Sequence, residues 1–143
     1  MQMYEHGLIA PVLALVLWSL VMWIWLYATR IPAMQKAKIN PQQAAIDREL
    51  KLPPQAMWPA DNYNHLMEQP TIYYATCLAA QLAGTTDAIN IGLAWLYVVL
   101  RVIHSLVQAT VNLVTLRFTI FSISSIVLAI LAVRVTLQVL GYV

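Results

Sequence analysis

Residues 8–27 read LIAPVLALVLWSLVMWIWLY, twenty residues without a single Asp, Glu, Lys or Arg. As a helix rising about 1.5 Å per residue, such a run covers the roughly 30 Å hydrocarbon core of a bilayer. Trp18, Trp23, Trp25 and Tyr27 gather toward its far end, where amphipathic rings favour the headgroup level. No basic stretch precedes the run, and it exceeds the apolar core of a signal sequence, so it reads as a retained span. The rest of the chain agrees: 61% of its 143 residues are hydrophobic and only 10% are charged. About a quarter would be charged in a soluble domain. This length holds about four spans and one long loop, with no room for a separate soluble domain. The expected fold is therefore all-α, an integral membrane four-helix bundle forming one domain over residues 1–143.

The spacing of apolar and polar stretches predicts helices at about 8–29, 61–84, 90–112 and 118–141, with a long loop at about 30–60. Arg30 and Pro32 are expected to stop the first helix. The loop carries Pro41, Pro53, Pro54 and Pro59, and five of the eight basic residues: Arg30, Lys36, Lys38, Arg48 and Lys51. Arg117 falls in the third connection, whereas the amino terminus, the second connection and the carboxyl tail have no Lys or Arg. By the positive-inside rule the long loop and the Arg117 turn are cytoplasmic and both termini external. The net charge of +2 points to no nucleic-acid partner. Cys77 is the only cysteine, which excludes an internal disulfide, and its apolar setting reads as an inert thiol.

Arg101 stands near the middle of the third apolar stretch, where a cation costs about 2.5–3.5 kcal/mol unless paired or hydrated. Arg101, His104, Ser105, Gln108 and Asn112 recur at spacings of three and four and so share one helical stripe. Asp61, Asn64, His65 and Glu68 do the same on the second helix, and Glu68 is the expected counter-ion for Arg101. Taken singly, Ser105, Gln108 and Asn112 fit the polar glue of a membrane bundle. Together with Glu68, Arg101 and His104, and opening toward Arg117, they describe a cavity for a polar, carboxylate-bearing ligand. One His with one Glu is a poor ligand set, so no metal is expected. Arg134, with Gln138 one turn later, is expected to snorkel or to bridge subunits. The chain has no phosphate-cradling glycine loop, serine triad or inverted repeat.

The run Trp58–Pro70, WPADNYNHLMEQP, followed by Arg101–Gln108, RVIHSLVQ, resembles the signature of the MAPEG family, membrane-associated proteins in eicosanoid and glutathione metabolism. The likeness extends over span order and loop lengths and is strongest to small bacterial members. It implies a homotrimer in a bacterial inner membrane, binding glutathione between subunits near the cytoplasmic face. By position, Glu68 resembles the family acid, and Arg101 with His104 its Arg-x-x-His motif. Arg117 falls where catalytic members carry the arginine that stabilises the glutathione thiolate. Asn64, His65 and Gln108 complete the implied binding set. There are departures: Gln108 replaces a tyrosine, His65 an asparagine and Asp61 an arginine.

Two functions follow as expectations. One is a glutathione transferase or peroxidase acting on lipophilic small molecules delivered by membrane lipids, with Arg117 catalytic. The other is a non-catalytic protein of the same fold that binds a lipid or protein partner, with Glu68 and Arg101 as a structural ion pair.

Overall fold

The computed structural model describes residues 7–42, 44 and 51–143; Arg48 of the long loop lies outside them. Among the described residues the elements are helical: α1 (Ile9–Lys36), α2 (Pro54–Leu66), α3 (Pro70–Leu82), α4 (Ala88–Thr110) and α5 (Val114–Val139). Three of them, α1, α4 and α5, are long and apolar enough to cross a membrane. Neither α2 nor α3, each of 13 residues and so about 20 Å long, crosses alone. In sequence they form the second of four rods, broken at Met67–Gln69.

Two expectations are corrected here. Arg30 and Pro32 do not end the first helix, which continues to Lys36 with Pro32 inside it. A proline removes one backbone bond, but Ala33, Met34, Gln35 and Lys36 favour helix, and α2 packs alongside. The segment 61–84 is not one helix either. Pro70 has no N–H to donate, and the chain before it tightens to i→i−3 bonds, Met67 N to Asn64 O at 3.0 Å and Glu68 N to His65 O at 3.4 Å, before α3 starts with Pro70 in its first turn. Gln69 pins the break: its Nε2 donates to Ser125 Oγ at 2.7 Å, and its Oε1 accepts from Tyr97 O–H at 3.3 Å.

The main core joins Leu8 at the start of α1 with Val12 and Leu15 from α1, Tyr73, Cys77 and Ala80 from α3, Ile91, Ala94, Tyr97 and Val98 from α4, and Val127, Leu128, Leu131 and Val135 from α5. The Tyr73 and Tyr97 rings stack at its centre with centroids 4.5 Å apart. The outer faces carry exposed Leu13, Leu17, Ile24, Ile126, Ile130 and Val133. In water such a surface would aggregate, whereas lipid tails accept it.

At the end holding the α3–α4 turn, Gly84 closes α3 with φ +74°. Asp87 caps α4, accepting from the backbone N–H of Ile89 and Asn90 at 2.9 and 3.1 Å. Arg134 belongs to this cap: its Nη2 donates to Asp87 Oδ2 at 3.2 Å and its Nε to Asn90 Oδ1 at 3.1 Å, while Gln138 Nε2 donates to Asp87 Oδ2 at 2.7 Å. Within the protomer Arg134 thus ties α5 to the α3–α4 turn. Burial acts to raise the Asp87 pKa, but the hydrogen bonds from Gln138, Asn90, Ile89 and Arg134 outweigh it and hold the carboxyl below its ordinary value. A depressed folded pKa gives stability that is present above the unfolded pKa, 3.8, and is lost as pH falls through the folded one. Asp87→Asn preserves a capping side chain and removes the charge. It is expected to cost about 1 kcal/mol at neutral pH, discounted for the exposure of the pair, or a few degrees in detergent melting. The difference from wild type should vanish in acid below that carboxylate range.

Candidate functional site

The polar stripe of α4 turns inward. Arg101, His104, Ser105 and Gln108 are all buried, Arg101 completely so. The inward face of α2 is offset from the one expected: Ala56, Pro59, Asn62 and Leu66 are buried, whereas Asp61, Asn64 and Glu68 lie on the protomer surface. His65 sits at the boundary. Its ring lies 5.0 Å from that of His104 and 5.1 Å from that of Phe121, centroid to centroid.

A cavity of about 220 Å³ opens between these elements, lined by His65, His104, Val114, Arg117, Phe118 and Phe121. Arg117 reaches it from the first turn of α5, and its Nη1 donates to Asn112 Oδ1. Asn112 adopts φ +49° just past the end of α4, and its N–H reaches back to Val107 O at 2.7 Å. This left-handed turn, which Asn tolerates better than most residues, brings the start of α5 beside the end of α4. The cavity combines one fixed cation and two imidazoles with an aromatic and aliphatic wall.

Three of the residues singled out from sequence, His65, His104 and Arg117, therefore meet around one space. Arg101 lies behind the wall, with its guanidinium carbon 5.7 Å from the Phe121 ring centroid and its Nη2 donating a long 3.4 Å bond to His65 O. Gln108 is buried one turn past His104, outside the cavity lining, and Asn64 faces outward. The expected Glu68–Arg101 bridge is absent from the protomer. Glu68 instead pairs with His65, Oε2 to Nδ1 at 3.1 Å, and is 70% exposed. The cause is the rotation of α2: the stripe of Asp61, Asn64 and Glu68 faces out of the protomer, and Asn62 and Leu66 take the inward positions.

Among the described residues, Arg101 Nε and Nη1, His104 Nδ1, Ser105 Oγ, Gln108 Oε1 and both side-chain amide atoms of Asn62 are buried without a hydrogen-bond partner. Each such group left unpaired costs about 1–3 kcal/mol, so within the protomer the contacts between helices do not repay the burial of this seam. Asn62 and Phe121 escaped the sequence reading. Phe121 follows Arg117 by four residues and so shares its helical face, a signal that spacing alone supplies. Asn62 is adjacent to Asp61, and only the rotation of α2 decides which of the two faces inward.

A sequence model of the MAPEG family matches residues 8–137. No curated protein and no solved structure compared with the chain matches it.

Proposed function

The chain belongs to the MAPEG family, and from that premise we propose that it is a glutathione-binding membrane protein, a homotrimer that uses the thiol to conjugate lipophilic electrophiles or reduce lipophilic peroxides. The observation that carries this reading is the convergence of Arg117, His65 and His104 on one cavity whose remaining wall is Val114, Phe118 and Phe121. A guanidinium beside a thiol lowers its pKa and raises the population of the nucleophile. Phe118 is largely exposed on the outer face of α5, so an apolar substrate dissolved in lipid has a short lateral path to the same space. At about 220 Å³ the cavity is below the roughly 300 Å³ of the smallest drug-sized sites. It suits the reacting end of the tripeptide, with the remainder lying over the exposed Asn64 and Glu68 surface and covered there by a neighbouring subunit. Arg101 and Gln108, behind the wall, contribute positive potential and polar shape. The orientation that fits is the inner membrane with the Arg117 turn cytoplasmic, the side where reduced thiols are abundant.

The non-catalytic reading rests on a structural Glu68–Arg101 clasp, and Glu68 is paired with His65 within the protomer. The discriminating measurement is calorimetric glutathione binding by the detergent-purified protein. Wild type is expected to bind saturably, and Glu68→Gln and Arg117→Ala each to weaken binding about tenfold, near the lower end of what a charge-assisted hydrogen bond contributes. An intact oligomer that binds no glutathione would overturn the proposal.

A further inference from the structure

The His65–Glu68 pair has a geometry that a binding role alone does not require. Glu68 is 70% exposed on the outer side of the α2–α3 break, and its Oε2 lies 3.1 Å from His65 Nδ1. An ionised carboxylate only accepts hydrogen bonds, so Nδ1 must be the donor, which leaves the lone pair of the neutral ring on Nε2. That ring lines the cavity that also holds Arg117. A carboxylate fixing the tautomer of an imidazole whose other nitrogen is basic is the arrangement by which proteins make a general base.

We infer that His65, oriented by Glu68, is the general base that removes the proton from the bound thiol beside Arg117. The inference rests on the glutathione reading above and deepens it. The balance is simple. His65 Nε2 takes the S–H proton, leaving thiolate and imidazolium, with Arg117 compensating the charge on sulfur. The thiolate then forms an S–C bond with the electrophile. With an aryl chloride the C–Cl bond breaks, chloride leaves, and the proton passes from His65 to solvent. With an epoxide the C–O bond breaks, and the imidazolium returns its proton to the alkoxide.

The neighbouring groups fit this division of labour. The charged and titratable groups acting on His65 are Glu68 at the break, Arg101 and His104 on α4, and Arg117 on α5; α1 contributes none of them. Burial and then the surrounding cations discourage a resting imidazolium, and Glu68 supplies the opposing charge that makes proton uptake possible. His104 cannot replace His65 in this scheme: it is 2% exposed, and among the described residues its Nδ1 has no partner to fix a tautomer. The rotation of α2 that turns Glu68 away from Arg101 is what leaves it to hold His65.

The test is the pH dependence of kcat/KM for glutathione with 1-chloro-2,4-dinitrobenzene, together with the ultraviolet absorbance of bound thiolate, in wild type, His65→Gln and Glu68→Gln. His65→Gln is expected to lose about 10²-fold at neutral pH, the low end of general-base contributions. Its profile should move to the alkaline side, so that the deficit shrinks as glutathione ionises unaided. Calorimetric glutathione affinity and the oligomer should remain. Glu68→Gln is expected to give a smaller loss of the same kind on top of its weaker binding. If wild type binds glutathione and turns over but His65→Gln leaves the pH profile and thiolate signal unchanged, the general-base role is overturned and the binding reading stands. If His65→Gln lowers affinity alone, with kcat intact, His65 only positions the ligand and the inference likewise fails. Absence of glutathione binding in wild type overturns both.

Discussion

Arg117→Ala is expected to lower kcat/KM for glutathione conjugation by about 10²–10³-fold, the usual cost of removing one preorganised group from a developing anion. The size of the effect follows from where the residue sits. Arg117 lines a small cavity whose other walls include the apolar side chains of Val114, Phe118 and Phe121. It is also held in place, with Nη1 bonded to the Asn112 side chain in the α4–α5 turn, so little reorganisation accompanies the appearance of negative charge on sulfur. Removing it leaves thiol ionisation to His65 alone, in a site that has lost its compensating cation. Arg117→Lys keeps the charge but loses the planar fork that reaches Asn112 and the cavity together, so only partial activity should return. The check is steady-state kinetics beside calorimetry. Conjugation in Arg117→Ala at the wild-type rate, with glutathione bound, would remove Arg117 from the chemistry.

The same turn shows what composition and spacing make legible. Apolar length marks α1, α4 and α5 because a bilayer imposes about twenty apolar residues on any helix that crosses it, and this constraint is visible in sequence. The inward stripe of α4 is equally readable: Arg101, His104, Ser105 and Gln108 keep one helical register without interruption, and all are buried. The second rod is harder. Its polar residues follow a helical spacing from Asp61 to Glu68, but spacing says only that they share a face, not which way that face points. The rotation of α2 turns that stripe outward, Glu68 with it, and the inward position falls to Asn62, one residue from where the spacing put it. Pro32 misleads in the opposite direction. One lost backbone bond looks like a stop in sequence, but a neighbouring helix and good helix formers beyond it outweigh that loss. The pairing of Arg134 with Asp87 was hidden because it joins positions far apart in the chain, which no local period reports.

Arg101→Met is expected to give a protein that folds and assembles at least as well as wild type but no longer binds glutathione. Arg101 is fully buried, two of its three guanidinium nitrogens have no partner among the described residues, and the third makes a single long bond to His65 O. Its attraction to the Phe121 face, at 5.7 Å, returns about 0.5–2 kcal/mol. Desolvating the cation costs several kcal/mol, so the protomer alone does not recover the loss. Methionine keeps a flexible stem of similar reach and removes the charge, and such replacements of buried ions are often stabilising by about 1–4 kcal/mol. Alanine is the less informative variant, because the cavity it leaves has its own cost of about 2–5 kcal/mol and would mimic a structural role. Thermal unfolding in detergent, read beside glutathione calorimetry, separates the cases. A more stable trimer with affinity reduced at least 10²-fold identifies Arg101 as a charge retained for an anionic ligand at the expense of the bundle. If Arg101→Met instead falls apart as an oligomer, Arg101 holds the helices together, and the non-catalytic reading becomes the better account of the seam.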